Sequence, residues 1–111
     1  MSTESARRIL PDNRTEKQVQ RAIMKTLRQM QFCVYNLSQP RNSMQAPGLA
    51  DLYVAGWGVC AWIEVKRAKG KQSEAQALFE HAVITNDGHY LLARNEADVI
   101  EWAKQYVKGA A

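Results

Sequence analysis

The chain has 111 residues, 46% hydrophobic and 23% charged, with a net charge of +4 and a pI near 9.3. That length makes one domain with a modest core, and the mild basic excess fits a polyanionic partner without requiring one. No apolar run approaches the roughly 20 residues needed to cross a bilayer, and the N-terminus has no signal-peptide apolar stretch. No membrane association is expected, and the expected location is the cytoplasm, or the nucleus in a host that has one.

Residues 1–12 are polar and are expected to be a flexible segment ahead of a single domain over 13–111. Thr15-Glu16-Lys17-Gln18 fits a capping box, and Val19, Ile23, Leu27 and Met30 recur at helical spacing, predicting a helix over 15–30. The run 32–37 reads as a strand. A polar loop from Ser38 to Gly48 follows, carrying Gln39, Arg41, Asn42, Ser43 and Gln45, and loops of that length inside a domain are often functional. Asp51-Leu52-Tyr53-Val54-Ala55 and Cys60-Ala61-Trp62-Ile63-Glu64-Val65-Lys66 form two further strands around a Gly56-Trp57-Gly58 turn. Residues 68–72 are a short basic link. Ser73-Glu74-Ala75-Gln76 is a second capping box, opening a helix with Leu78, Phe79, Ala82 and Val83 on its buried side and Gly88 as a left-handed C-cap. Strand 89–93 is apolar enough to be internal. Asn95 caps a last helix with an apolar stripe of Val99, Ile100, Ala103, Tyr106 and Val107. The order is αβββαβα: an α/β fold with a mixed four-stranded sheet flanked by helices, its last two strands joined by a helical crossover and parallel.

The hairpin carries the chemistry. Side chains alternate along a strand, so Glu64 and Lys66 share one face while Ala61, Ile63 and Val65 take the other. If Trp57-Gly58 is a two-residue loop, paired residue numbers sum to 115 and Asp51 lies opposite Glu64, about 5 Å away. Two carboxylates that close repel by roughly 3 kcal/mol. A divalent cation between them removes the conflict, since Mg²⁺ favours carboxylate oxygens. An ammonium one strand step further on suits hydrolysis of a phosphodiester: lysine can position the attacking water, take its proton, or offset charge on phosphorus.

Asp51 followed by Glu64-Val65-Lys66 resembles the signature of the PD-(D/E)XK nuclease superfamily. Glu16, Pro47-Gly48-Leu49-Ala50-Asp51, Ile63-Glu64-Val65-Lys66 and Gln76 in order are similar to its small virus-type replication-repair nuclease (VRR-NUC) domains, over about nine-tenths of the chain. The proline that precedes the aspartate in that pattern is replaced here by Ala50. The resemblance implies a restriction-endonuclease-like core and a Mg²⁺- or Mn²⁺-dependent endonuclease acting on DNA. Asp51, Glu64, the Val65 carbonyl and Glu16 would serve the metal, Lys66 the attacking water, and Gln76 the lysine or substrate. Stand-alone relatives are homodimers that cut branched DNA such as four-way (Holliday) junctions, so that substrate and a homodimer are the implied partners. Ser38, Arg41, Arg67, Lys69 and Lys71 are candidate nucleic-acid contacts.

Each residue has a plainer reading. Glu16 can serve the helix dipole, Gln76 its capping box, and the cations of the first helix a solvated face. Trp57 could stack on a base or pack on a second subunit. Cys33 and Cys60 read as buried free thiols, no spacing suggests zinc, and His81 and His89 are isolated. The rival functions are a nucleic-acid-binding module that does no chemistry, and a nicking or restriction-type nuclease acting on linear duplex.

Overall fold

Thr15 starts helix α1 (Glu16–Gln29), its side chain accepting from the Gln18 N–H while the Gln18 side chain accepts from the Thr15 N–H. In the computed structural model, which describes residues 11–38 and 46–108, Val19, Ile23 and Leu27 of that helix are fully buried. Strand β1 (Cys33–Asn36) follows, then β2 (Leu52–Gly56) and β3 (Val59–Val65). Helix α2 (Glu74–Thr85) opens on the Ser73–Gln76 capping box and leads to β4 (Tyr90–Ala93); Asn95 caps α3 (Glu96–Ala103).

The four strands lie in the order β1-β2-β3-β4. The first two pairings are antiparallel, and β3 with β4 is parallel, so α2 is the crossover that a parallel pair needs. The β2–β3 register runs from Gly56↔Val59 to Leu52↔Ile63, the register expected from a two-residue loop. Trp57 and Gly58 both have positive φ, 54° and 82°, as a type I′ turn demands. Glycine takes that backbone at no steric cost. A tryptophan there is uncommon, and its indole Nε1 donates to the Met30 carbonyl at 2.8 Å, tying the turn to the end of α1.

Register assigns the two faces. Val34, Val54 and Ala61 line up across three strands, and Leu52 faces Ile63. These residues are buried with Val65, α1 and the Val99, Trp102 and Ala103 side chains of α3. Each fully buried aliphatic side chain of this set contributes about 1.5–3 kcal/mol. The opposite face carries Cys33, Tyr35, Tyr53, Cys60, Trp62, Glu64 and Tyr90. Helix α2 covers only its β3–β4 end, where Phe79 packs edge-on against Trp62 at 5.3 Å and lies 6.1 Å from Tyr90.

Several expectations need correction. Strand β4 is an edge strand, not an internal one; helices α2 and α3 shield its apolar side chains in place of a neighbouring strand. No residue of α2 is fully buried. Leu78 is 67% exposed and Ala82 is exposed, while Phe79 and Val83 are half-buried. The left-handed residue after α2 is Asp87 (φ 63°), not Gly88, whose N–H instead bonds the Val83 carbonyl at 2.8 Å. Cys33 and Cys60 are free but exposed, because period-two alternation sets them opposite buried Val34, Val59 and Ala61. Ile100 is 40% exposed, and Trp102 takes the core place that the stripe in the last helix left out. Arg41 and the rest of 39–45 lie outside the described residues, as do residues 1–10 of the N-terminal segment.

Candidate metal and phosphodiester site

Continuing the β2–β3 register by one step sets Asp51 opposite Glu64, at the end of the hairpin away from the turn. Two backbone bonds hold Asp51 there. Its carbonyl accepts from the Leu37 N–H at 2.7 Å, and its Oδ2 accepts from the Val65 N–H at 2.7 Å. The Ser38 hydroxyl donates to Oδ1 at 3.0 Å. Both oxygens are thus oriented by neutral donors.

Gly48 explains how the chain enters the site. Its φ of +79° suits glycine, and a Cβ there would come within 2.2 Å of the Ala75 carbonyl oxygen. The segment before Asp51 therefore runs directly against the first turn of α2.

Glu64 is the one buried charged residue among those described, at 0% exposure. Its Oε1 accepts from Gln72 Nε2 at 3.0 Å and from the Tyr90 hydroxyl. Gln72 also donates to Glu80 Oε1 at 2.9 Å. Burial, then the hydrogen bond to Glu64, pushes the Tyr90 pKa well above its usual value, so the phenol stays a donor. The other oxygen, Oε2, has no hydrogen-bond partner. The Lys66 ammonium, on a side chain only 12% exposed, stands 3.6 Å from it. An orphaned carboxylate oxygen in a fully buried side chain is costly, and an added cation would relieve that cost.

Glu16, on the exposed first turn of α1, is held above the usual carboxylate pKa. Burial is the main cause, the charges of Asp51 and Glu64 add to it, and Lys66 and Arg67 oppose it. It therefore faces the same electrostatic centre. Even so, no group of three or more His, Cys, Asp or Glu side chains that could hold a metal occurs among the described residues. The donors gathered here are two carboxylates with Val65 between Glu64 and Lys66. That is a set Mg²⁺ accepts, since it commonly takes one or two carboxylates and keeps several waters.

The other sequence candidates divide. Gln76 Oε1 accepts from the Ser73 N–H at 2.9 Å, closing the capping box, whereas Gln72 is the glutamine on Glu64. Arg67 and Lys69 line a groove of about 270 Å³ with Asp12, Asn13 and Arg14. Arg94 holds that basic link in shape by donating to the Arg67, Ala68 and Gly70 carbonyls at 3.1, 3.3 and 2.6 Å. Lys71 is exposed and Ser38 sits on Asp51. His81 is exposed, and His89 stacks edge-on with Tyr106.

Sequence reasoning passed over Gln72, Tyr90, Glu80 and Arg94. A glutamine after a basic run and a tyrosine opening an apolar strand carry no pattern of their own. The parallel pairing, which sets Glu64 beside Leu92 and Trp62 beside Tyr90, brings the tyrosine to the acid, and the glutamine reaches it from the link that precedes α2. Compared with protein-family models, curated proteins and solved structures, the chain matches none.

Proposed function

We propose that this chain is a Mg²⁺- or Mn²⁺-dependent endodeoxyribonuclease of the VRR-NUC type, with the restriction-endonuclease-like core that the sequence resemblance implies. The observation that carries the reading is the hairpin end. A register-fixed pair of acids, one with a buried orphan oxygen, has an ammonium 3.6 Å away.

Asp51 and Glu64 would hold the cation with the Val65 carbonyl, and the bound ion would supply Lewis-acid polarisation of the phosphoryl group. The protein supplies orientation and charge. Ser38 and the Val65 N–H fix Asp51; Tyr90 and Gln72 fix Glu64. Lys66 positions the attacking water and offsets negative charge developing on phosphorus. Glu16, whose charge is felt at Asp51, Glu64 and Lys66, would contact the metal or its water. Arg67, Lys69 and Lys71 would grip flanking phosphates, and Gln76, whose side chain closes its helix cap, would have to release that bond to reach the lysine or substrate. Branched DNA and a homodimer follow from the resemblance: two symmetric sites suit two symmetric cuts.

A second reading has its own support. Lys66 already pairs with Glu64, and no third acid joins them among the described residues, so a nucleic-acid-binding module that does no chemistry also fits. Incubating the purified protein with four-way, flap and linear duplex DNA, in Mg²⁺ and in EDTA, separates the readings. Mg²⁺-dependent cutting that Lys66→Ala reduces by roughly a hundredfold or more, with DNA binding retained, is the expected result. Binding with no cutting in any metal would establish the module instead, and equal cutting of all three substrates would remove the junction preference.

A further inference from the structure

The open end of the sheet carries a feature that phosphodiester hydrolysis does not use. Tyr35, Tyr53, Trp62 and Tyr90 are register partners in succession across all four strands, so four aromatic side chains form one row on the face away from α1 and α3. Phe79 covers the Trp62–Tyr90 end. The other end is open: Tyr35 is 57% exposed, and a hollow of about 490 Å³ is lined by Tyr35, Leu37, Tyr53 and Trp62. Tyr53 and Trp62 stand edge to face at 4.8 Å, which fixes both rings. The row lies one same-face step, about 7 Å, from Asp51 and Glu64.

Around the edge of β1 the surface changes character. Asn36 follows Tyr35 and points to the other side, where it lines a groove of about 620 Å³ with Arg21, Met24, Lys25 and Arg28. Arg21, Lys25 and Arg28 recur at helical spacing, so they share one face of α1 over about 10 Å. Among the described residues neither Arg21 nor Lys25 has an acidic partner. Asn36 Oδ1 accepts from Gln20 at 3.1 Å and from the Ser38 N–H at 2.9 Å. Ser38 in turn bonds Asp51, so the groove and the acids share a hydrogen-bonded link.

We propose that the Tyr35–Tyr53–Trp62 row is a stacking platform for unpaired nucleobases, with the phosphates of the same strand held in the Arg21–Lys25–Arg28 groove. The inference rests on the nuclease reading for its choice of a polynucleotide, and among branched substrates it favours those with an unpaired segment beside the cut, such as flaps, over a fully paired four-way junction. Aromatic side chains take any base on a π-face, and a flanking cationic track holds the backbone. A second copy of the chain is the competing occupant of this face, and sedimentation beside binding separates the two; the cationic track that continues around the β1 edge favours a polyanion.

Anisotropy in EDTA, with a short fluorescein-labelled oligothymidylate and an abasic strand of equal length, tests this without any cleavage. The expected result is weaker binding of oligothymidylate by Tyr35→Ala, roughly five- to a hundredfold, with Tyr35→Phe near wild type. The abasic strand should bind more weakly than oligothymidylate and be indifferent to Tyr35→Ala, while Lys25→Glu should weaken both strands alike. Unchanged affinity in Tyr35→Ala, or equal binding of the two strands by wild type, overturns the platform. So does a Tyr35→Ala chain that sediments as a smaller species than wild type but binds oligothymidylate equally, since the face would then join two copies. Base-dependent binding in a protein that never cuts DNA would sink the nuclease reading and leave the platform standing.

Discussion

Glu64 is a residue whose surroundings work against stability. Its carboxylate is wholly buried, two donors serve one oxygen, and the other has only an ammonium at 3.6 Å. Glu64→Gln keeps an acceptor for Tyr90 and Gln72 while removing the buried charge. It also leaves the mostly buried Lys66 ammonium without its partner carboxylate, so it should lower stability by up to about 3 kcal/mol, and lose cleavage by roughly a hundredfold or more in the protein that remains folded. Urea denaturation beside a nuclease assay checks both, and a protein that loses activity only because it unfolds would not support the site. Tyr90→Phe removes a hydrogen bond to a charged acceptor and should lower stability by about 1.5–3 kcal/mol; no change in the urea midpoint would mean that the phenol does not anchor Glu64. At this scale the sequence was legible where chemistry has a spacing. Asp51, Glu64 and Lys66 follow from alternation and one turn. Tyr90 does not, because its meeting with Glu64 depends on which strand β4 pairs with, and Gln72 does not, because it depends on how the link before α2 turns back over β3.

At the scale of elements, capping and turn chemistry were readable because they are local. Thr15 with Gln18, Ser73 with Gln76, and Asn95 each begin a helix for a reason confined to four residues. The hairpin register was readable because a two-residue turn leaves one pairing available. Burial of whole elements was harder to read. Leu91 and Leu92 mark β4 as apolar whether a strand or a helix shields it, and the apolar residues of α2 look the same over an open sheet as over a closed one. Gly48 gives the clearest test of how elements set the site. Gly48→Ala combines a positive φ with a Cβ 2.2 Å from the Ala75 carbonyl oxygen, so it should cost about 2 kcal/mol or more. Cleavage should fall in the protein that remains folded, because the approach to Asp51 must shift. Urea melts and activity per folded molecule would show this; an unperturbed variant would mean that the loop does not lean on α2.

Over the whole molecule, one ion-pair cluster joins the beginning of the described chain to its last helix. Arg14 contacts Asp12 and Glu96, each at 2.8 Å. The Arg14 hydrogen bonds lower the Asp12 pKa from 3.8 to about 2 and, as the first cause, also lower that of Glu96. A carboxylate depressed in the folded state is protonated later there than in the unfolded chain, so the unfolded chain binds protons first as pH drops. The stability from this cluster is present above about pH 4 and is lost as pH falls toward 2. Thermal melts across that range should show the loss, and Arg14→Ala should flatten it; identical acid profiles would exclude the link. The pairs are partly solvated, so the effect is modest.

Metal-dependent cleavage at this site requires that Asp51 and Glu64 grip one divalent ion together. Titrating Mn²⁺ into the purified protein, with the free ion followed by electron paramagnetic resonance, measures that without DNA or turnover. One ion bound per chain, lost in both Asp51→Asn and Glu64→Gln while each variant stays folded, is the predicted result. A wild-type protein that binds no Mn²⁺ at millimolar concentration, or one whose binding survives both substitutions, would contradict it.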